Sequence, residues 1–349
     1  MNTMLAAQLT GLGSVAVRQV PLPPLPKDSD VLIKVGAVGI CGSDIHYYQH
    51  GRIGDQVVEY PFTPGHECSG TIEMCGPLCG DLAPGDRVAV DPAVSCGECD
   101  QCRSGRPHTC RNLRFLGCPG QLPGCLSEYI VMPASNCYRL PDGLSLDQGV
   151  LAEPVAIGVY AADFLQGTDL RSLGILGAGP IGLSVLLAVL ADRADTDIHV
   201  TDKVEDRLQA AARAGAHWTG DPDSPDIVGE ILERTRGLDG VFECCGDPEA
   251  LDQAVEILKP GGTLFILGIP GTDRVAFDIH TLRRREIRIQ NIRRQNGCTQ
   301  KALDLMADGT IDAAFLATHR FALEEVQDAL ETVSDYRDGV IKAIVDVNT

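Results

Sequence analysis

Positive charge is in short supply in this chain. Its 29 Lys and Arg stand against 48 Asp and Glu, leaving a formal net charge of −19. A surface of that sign repels phosphate backbones and anionic headgroups, so neither nucleic acid nor a membrane is an expected partner. Long apolar runs are lacking as well. The longest clean one spans residues 181–191, well short of the roughly 20 residues that cross a bilayer. The opening MNTMLAAQLT has no basic stretch ahead of an apolar core, so no secretory signal is expected and a cytoplasmic setting is. The sequence also shows no internal repeat and no low-complexity tract. What remains is a globular composition, 44% apolar over 349 residues. That length suggests two domains, or one interrupted by another.

Three stretches differ in texture. Residues 1–150 are rich in Gly, Pro and Cys, with short apolar runs such as VLIKV and DRVAV. They read as an irregular β-rich unit. Residues 151–290 alternate between strand and helix patterns. LGILG, DIHVTDK, GVFECC and TLFILGI read as strands, and residues 180–194, 204–214 and 248–258 as helices. That alternation predicts a doubly wound parallel sheet covered on both faces. Residues 291–349 give two short helices, near 299–307 and 323–333, and a final strand VIKAIVDV. The two ends of the chain read as one catalytic unit into which the α/β unit is inserted.

Gly177-Ala178-Gly179-Pro180-Ile181-Gly182 directly follows a predicted strand and opens a predicted helix. In a G-x-G-x-x-G turn the first Gly permits the tight turn. The second lets backbone approach a pyrophosphate, and the third lets helix pack on strand. The phosphate then meets the free N–H groups of a helix start. Asp202 falls 20 residues beyond Gly182, where a carboxylate accepts from ribose hydroxyls and repels a 2′-phosphate, so NAD is expected over NADP. Lys203 and Arg207 pull weakly the other way.

Fourteen cysteines raise the question of disulfides, but four of them lie between Cys96 and Cys110. Clustering of that kind favours metal in a reducing compartment over a disulfide framework. Cys96-x2-Cys99-x2-Cys102-x7-Cys110 has the spacing of one closed tetrahedral zinc site, which staples a loop and leaves no position for substrate. An iron–sulfur cluster fits the spacing too, though no Pro follows the last Cys.

A reactive zinc needs three protein ligands and one open position. The chain offers Cys41, Ser43 and His46 in GICGSDIH, His66 and Glu67 in PGHE, and Glu153 in LAEP. Each segment alone is ambiguous, since a lone Cys is usually packed core and a lone His a satisfied polar group.

Taken together, GICGSDIHYYQHGRIGD, PGHECSGTI, PGDRVAV, the four cysteines, LAEPVAIGVYA, LGAGPIGL with VTDK, ECCG, GGTLFILGI and ATHRFALEE resemble the medium-chain zinc dehydrogenases, and within them the sorbitol (polyol) dehydrogenase branch. The resemblance covers essentially the whole chain. It implies a GroES-like β-rich catalytic domain (residues 1–150, completed by 291–349) with a Rossmann domain inserted at 151–290. It also implies NAD, two Zn²⁺ per chain, a small hydrophilic alcohol or polyol as substrate, and a homodimer or homotetramer paired through Rossmann sheet edges.

Residue by residue, the resemblance implies Cys41, His66 and Glu67 as catalytic-zinc ligands. Glu153 is then the partner of a zinc-bound water, exchanging with Glu67 during turnover. Ser43 and His46 would relay the proton. Cofactor contacts would come from Gly177, Gly179, Pro180, Ile181, Gly182, Asp202, Arg207, Leu267, Gly268, Ile269, Asn291 and Arg293. Tyr47, Arg52, Phe115, Arg293 and Arg294 would face substrate. At one place the chain departs from the branch, which commonly carries Arg-Tyr where this chain reads Arg293-Arg294. A second guanidinium there points to a sugar acid or sugar phosphate. The surrounding run of Arg283, Arg284, Arg285 and Arg288 reads equally as a solvated basic face. A threonine-oxidising relative and a catalytically silent dinucleotide-binding protein are the competing readings. The complete Cys41, His66, Glu67, Glu153 and Ser43 set argues against the silent one.

Overall fold

The computed structural model describes residues 3–348. The chain divides into two compact units. One comprises residues up to Glu153 together with those from Thr299 onward, and the other is Pro154–Cys298. The boundary at Glu153 falls inside a single helix, Leu146–Asp163, which carries Pro154 in its interior.

The first unit is built on a seven-stranded sheet. Cys137–Arg139, Arg87–Val90, Glu67–Cys75, Asp30–Gly39, Lys342–Asp346 and Ala317–Ala322 follow one another across it, and Tyr129–Pro133 also pairs with Asp30–Gly39. The VLIKV pattern works as period-2 logic requires: Val31, Ile33 and Val35 are fully buried, and Lys34 points to solvent. Lys342–Asp346 pairs antiparallel with the end of Asp30–Gly39, placing Ile344 opposite Gly39. The last strand of the chain thus completes the sheet begun by the N-terminal segment.

The second unit is a six-stranded all-parallel sheet in the order Trp218–Gly220, Asp197–Thr201, Ser172–Leu176, Leu238–Glu243, Leu258–Ile266, Arg288–Asn291. The order reverses between Ser172–Leu176 and Leu238–Glu243, the switch point at which open α/β sheets bind ligands beyond their carboxyl ends. Helices Pro180–Asp192, Glu205–Arg213 and Pro248–Ile257 match the periodic segments seen in the sequence. The helix Ile227–Thr235 and the strand Trp218–Gly220 between them were not expected.

The Gly42-Ser43 pair, two residue types that favour turns, is here the first turn of a helix, Gly42–His50. Cys41 is its N-cap, and its backbone N–H donates to Asp44 Oδ2 at 3.0 Å. This is the return arm of a capping box, with Cys-x-x-Asp in place of Ser-x-x-Glu, while the Asp44 N–H donates to the Cys41 carbonyl at 3.0 Å. The Arg283–Arg285 run is the last turn of a helix, Ile279–Arg285, where cations suit the macrodipole, and Arg283, Arg284 and Arg288 are exposed, as in a solvated basic face. Arg285 Nη1 donates to the carbonyls of Val255, Glu256 and Leu258 at 3.1–3.4 Å, capping the end of a neighbouring helix.

Candidate metal and cofactor sites

The four-cysteine loop is local. Cys96, Cys99, Cys102 and Cys110 bring their sulfurs within 4.8 Å of one another. Cys99 Sγ lies 3.5 Å from Cys102 Sγ and 3.8 Å from Cys110 Sγ, and Cys110 Sγ lies 3.4 Å from Cys96 Sγ. Four thiolates about 2.3 Å from one zinc stand roughly 3.8 Å apart, so the cluster fits the ion closely. Backbone N–H groups of Cys96 and Asn112 donate to Cys110 Sγ at 3.3 Å each. The thiols divide: backbone donors from Arg111 and Cys102 hold Cys99 down to about 6, while burial and sharing with Cys99 and Cys110 push Cys102 up to about 11. Four crowded sulfurs that cannot all be anionic together are the donor set that a cation resolves.

The second cluster is assembled from distant segments. Cys41, His66 and Glu67 place one ligand atom each within 4.8 Å of the others. His66 and Glu67 are buried, and Cys41 is half-buried. Glu67 opens its strand directly opposite Gly39. A Cβ at Gly39 would collide with Glu67 Oε2, so the missing side chain makes room for the carboxylate. Glu153 is buried nearby. Burial first, then the charge of Glu67, raises its carboxyl to about 7, with His66 and Lys342 working against the rise. Burial alone would keep His66 neutral, yet the adjoining Cys41 sulfur and Asp44 carboxylate drive it well above its usual value. Anionic donors crowded round one imidazole call for a cation among them.

Two residues that sequence reasoning passed over hold this cluster. Asp44 is fully buried. Its Oδ2 takes the Cys41 N–H, and its Oδ1 takes the Gly65 N–H at 2.9 Å. Oδ1 also lies 3.8 Å from His66 Nδ1. One carboxylate thereby clamps both ligand-bearing segments. Lys342, 1% exposed, donates from Nζ to Glu67 Oε1 at 2.7 Å and to the Ile40 carbonyl at 3.1 Å. Its ammonium is also within 2.7 Å of Glu67 Oε2, but that oxygen has no hydrogen bond of acceptable geometry. An orphaned, buried carboxylate oxygen beside a thiol and an imidazole fits a zinc ligand. For Asp44 the signal was its place three residues after Cys41. For Lys342, 275 positions from its partner, the sequence held none.

Ser43 and His46 sit on the helix Gly42–His50, three residues apart on one face. Phe115 is buried, with its ring centroid 5.2 Å from that of His66. Tyr47 is buried too, its hydroxyl donating to Gln56 Oε1 at 3.1 Å, with Cys118 Sγ 3.8 Å away. Arg52 is exposed on a two-residue strand paired with Gln56–Val57.

In the second unit the expected cofactor residues gather beyond the carboxyl ends of the parallel strands. Gly177 has φ 97°, and a Cβ at Gly182 would collide with the Gly177 carbonyl oxygen; both glycines are sterically required. The helix of Pro180 and Ile181 starts directly behind Gly179, its N-cap. Asp202 is turned into this loop. Its Oδ2 accepts from the Ala178 N–H at 2.6 Å and its Oδ1 from the Val204 N–H at 2.8 Å, leaving each oxygen a further lone pair. Arg207 Nη1 lies 3.8 Å from the position of a Cβ on Gly179, beside the Gly177–Gly182 turn. The backbone N–H groups of Leu267 and Gly268 donate to the Glu243 carbonyl. The Glu243 carboxylate, another residue missed from sequence, takes the Cys245 and Gly246 N–H groups at 2.7 and 2.5 Å. Ile269 is exposed, as is Asn291 at the end of the last strand. Arg293 is exposed and Arg294 half-buried, with Arg294 in the left-handed region at φ 55°.

Among the described residues no helix is long and apolar enough to cross a membrane. Residues 27–142 match the alcohol dehydrogenase GroES-like domain, and residues 180–308 match the zinc-binding dehydrogenase family. The chain is 37% identical to the sorbitol dehydrogenase of Bacillus subtilis over 99% of its own length and 97% of that protein's. It is 33% identical to the L-idonate 5-dehydrogenase of Vitis vinifera over 94% and 91%. Among solved structures, an Escherichia coli oxidoreductase of unknown specificity superposes with a TM-score of 0.92 at 31% identity, covering 99% of this chain and 100% of that one. The chain therefore belongs to the medium-chain zinc-dependent alcohol dehydrogenase superfamily, related to the sorbitol, idonate and other polyol dehydrogenases, as a zinc- and NAD-dependent oxidoreductase acting on a CH–OH substrate.

Proposed function

We propose that this enzyme oxidises a secondary hydroxyl of a sorbitol- or xylitol-like polyol to a ketose, with NAD as the acceptor. The observation that carries the reading is the mixed donor set. Cys41, His66 and Glu67 supply a thiolate, an imidazole and a carboxylate within 4.8 Å. That is three ligands of the kind a reactive zinc uses, whereas the four-cysteine loop closes its ion completely. When bound, zinc supplies Lewis-acid polarisation of the substrate hydroxyl, and NAD supplies the hydride acceptor.

The chain's own residues do the rest. Asp44 fixes the Cys41 and Gly65 backbones, so the ligands are set before substrate arrives. Lys342 balances the buried charge of Glu67. Glu153, raised to about 7 by burial and by Glu67, is in the range where a carboxyl takes and returns a proton near neutrality. Ser43 accepts the substrate's proton and His46, one turn along the same helix face, carries it outward. Phe115, packed on His66, forms apolar wall. In the second unit the Gly177–Gly182 turn and Arg207 receive the pyrophosphate, and Asp202 excludes a 2′-phosphate. Tyr47, Arg52 and Arg293 are the proposed contacts to distal substrate and cofactor oxygens.

A second reading is favoured by Arg294. A half-buried guanidinium stands where the polyol branch commonly has Tyr, and an idonate dehydrogenase is among the relatives. Idonate is a sugar acid, and Arg binds carboxylates in bidentate fashion. One panel separates the two: kcat/KM for sorbitol, xylitol and a matched aldonate, read as NADH formation. Preference for the polyols supports the leading reading. Preference for the aldonate, abolished by Arg294→Tyr, replaces it with the second.

A further inference from the structure

We propose that His46 and His50 form a binding site for a divalent transition-metal ion such as Zn²⁺, Ni²⁺ or Cu²⁺ on the outer face of the helix Gly42–His50, separate from both metal clusters described above. The two histidines are four residues apart, the spacing at which two imidazoles on one helix face chelate zinc. Their ring centroids are 5.8 Å apart. Two imidazoles on a tetrahedral zinc, each nitrogen about 2.0–2.1 Å from the ion, have centroids roughly 5 Å apart. The pair is thus within about 1 Å of the centroid spacing that a shared ion requires, a difference side-chain rotation can supply.

The helix holds the pair in place. Asp44, Tyr47 and Tyr48 are buried on its inner face. The Tyr48 hydroxyl donates to the Gly13 carbonyl at 3.0 Å, and Gln49 Nε2 donates to Ser334 Oγ at 2.5 Å. His46 is half-buried and His50 exposed, so an ion has access from solvent. Both imidazoles lie in the last turn and a half of the helix, which ends at His50 with Gly51 as a left-handed cap. A helix C-terminus carries partial negative charge and favours a cation. The net charge of −19 attracts one from a distance. Imidazole suits zinc, nickel and copper but not magnesium or calcium.

Ser43, His46 and His50 recur at three- and four-residue intervals along the same face. An ion bound to the pair occupies the imidazole assigned to proton transfer and so inhibits turnover; this consequence, unlike the site itself, rests on the proposed relay.

The test uses the zinc-loaded enzyme and Ni²⁺ alone as probe. Nickel and zinc per chain are measured after equilibrium dialysis, and turnover is followed in parallel. The wild type is expected to take up one nickel with its zinc content unchanged. His50→Gln is expected to keep basal turnover but weaken nickel binding by at least about tenfold, the lower end of what losing even a supporting partner costs a metal site. Nickel should inhibit the wild type and leave His50→Gln active. No nickel uptake by the wild type at about 1 mM, the weak end of specific binding, overturns the proposal. So does equal uptake by His50→Gln. Uptake that depends on His50 without inhibition upholds the site and overturns the relay role of His46.

Discussion

The two thiol-bearing metal clusters solve the same problem in opposite ways. Cys96, Cys99, Cys102 and Cys110 lie within fifteen residues, mostly half-exposed, and their donors reach one another through a single looped segment. Cys41, His66 and Glu67 come from a helix cap, a loop and a strand start, and they are set by charges buried behind them. The first cluster needs only its own loop, and a four-thiolate shell leaves an ion no room for substrate. The second needs the whole unit. Its ligand set is incomplete by one position, and its electrostatics are balanced by Asp44 and Lys342. An open metal site leaves one position of its ion without a protein ligand, so three donors from separate segments have to be held in place by the fold.

The sharpest way to break this comparison is to remove the balancing charge. Lys342→Met strands the Glu67 carboxylate in a fully buried setting. Loss of one partner of a buried pair typically costs about 3–5 kcal/mol. Urea unfolding should show a loss of that size in chelator-treated protein and a smaller one in zinc-loaded protein, where the ion takes up part of the charge. Equal and small losses in both would mean that Glu67 is stabilised by something other than Lys342. The next largest effect concerns chemistry alone. Ser43→Ala should lower kcat about 10²-fold, the scale of one general acid–base group. It should leave two zincs per chain by metal analysis and an unchanged unfolding midpoint. Unaltered turnover would remove Ser43 from the proton path.

The same contrast explains what could be read from the sequence. The four-cysteine spacing and the Gly177–Gly182 turn are local, and each motif carries its own geometry within about 15 residues. The parallel sheet was legible because each strand is a short apolar run flanked by turn residues or by a periodic helix. Cys41, His66 and Glu67 were legible only through resemblance, since no single segment declares a metal site. The helix Gly42–His50 was hidden because Gly and Ser at its start read as turn formers, and its cap is a cysteine rather than the usual Ser, Thr, Asp or Asn. Lys342 was hidden for a deeper reason. Its role exists only because the last strand pairs beside Asp30–Gly39, and one sequence does not announce a partnership across 275 positions.

Gly39 offers the finest probe of that dependence. It sits in the strand opposite Glu67, and a Cβ there would collide with Glu67 Oε2 and come within 2.8 Å of Val150. Ala at this position is therefore an overpacking change, and such changes typically cost about 1–3 kcal/mol. If the open site depends on the surrounding unit, Gly39→Ala should also displace the Glu67 carboxylate and release metal from that site. The four-cysteine loop, built without Gly39, should keep its ion. Metal analysis after mild chelation should then give close to one zinc per chain for the variant where the wild type keeps two. Retention of both ions would mean that the carboxylate can shift without leaving the metal, as an exchange between Glu67 and Glu153 requires. Loss of both would mean that the loop leans on the sheet after all, and the division between a local and a distributed site would fall.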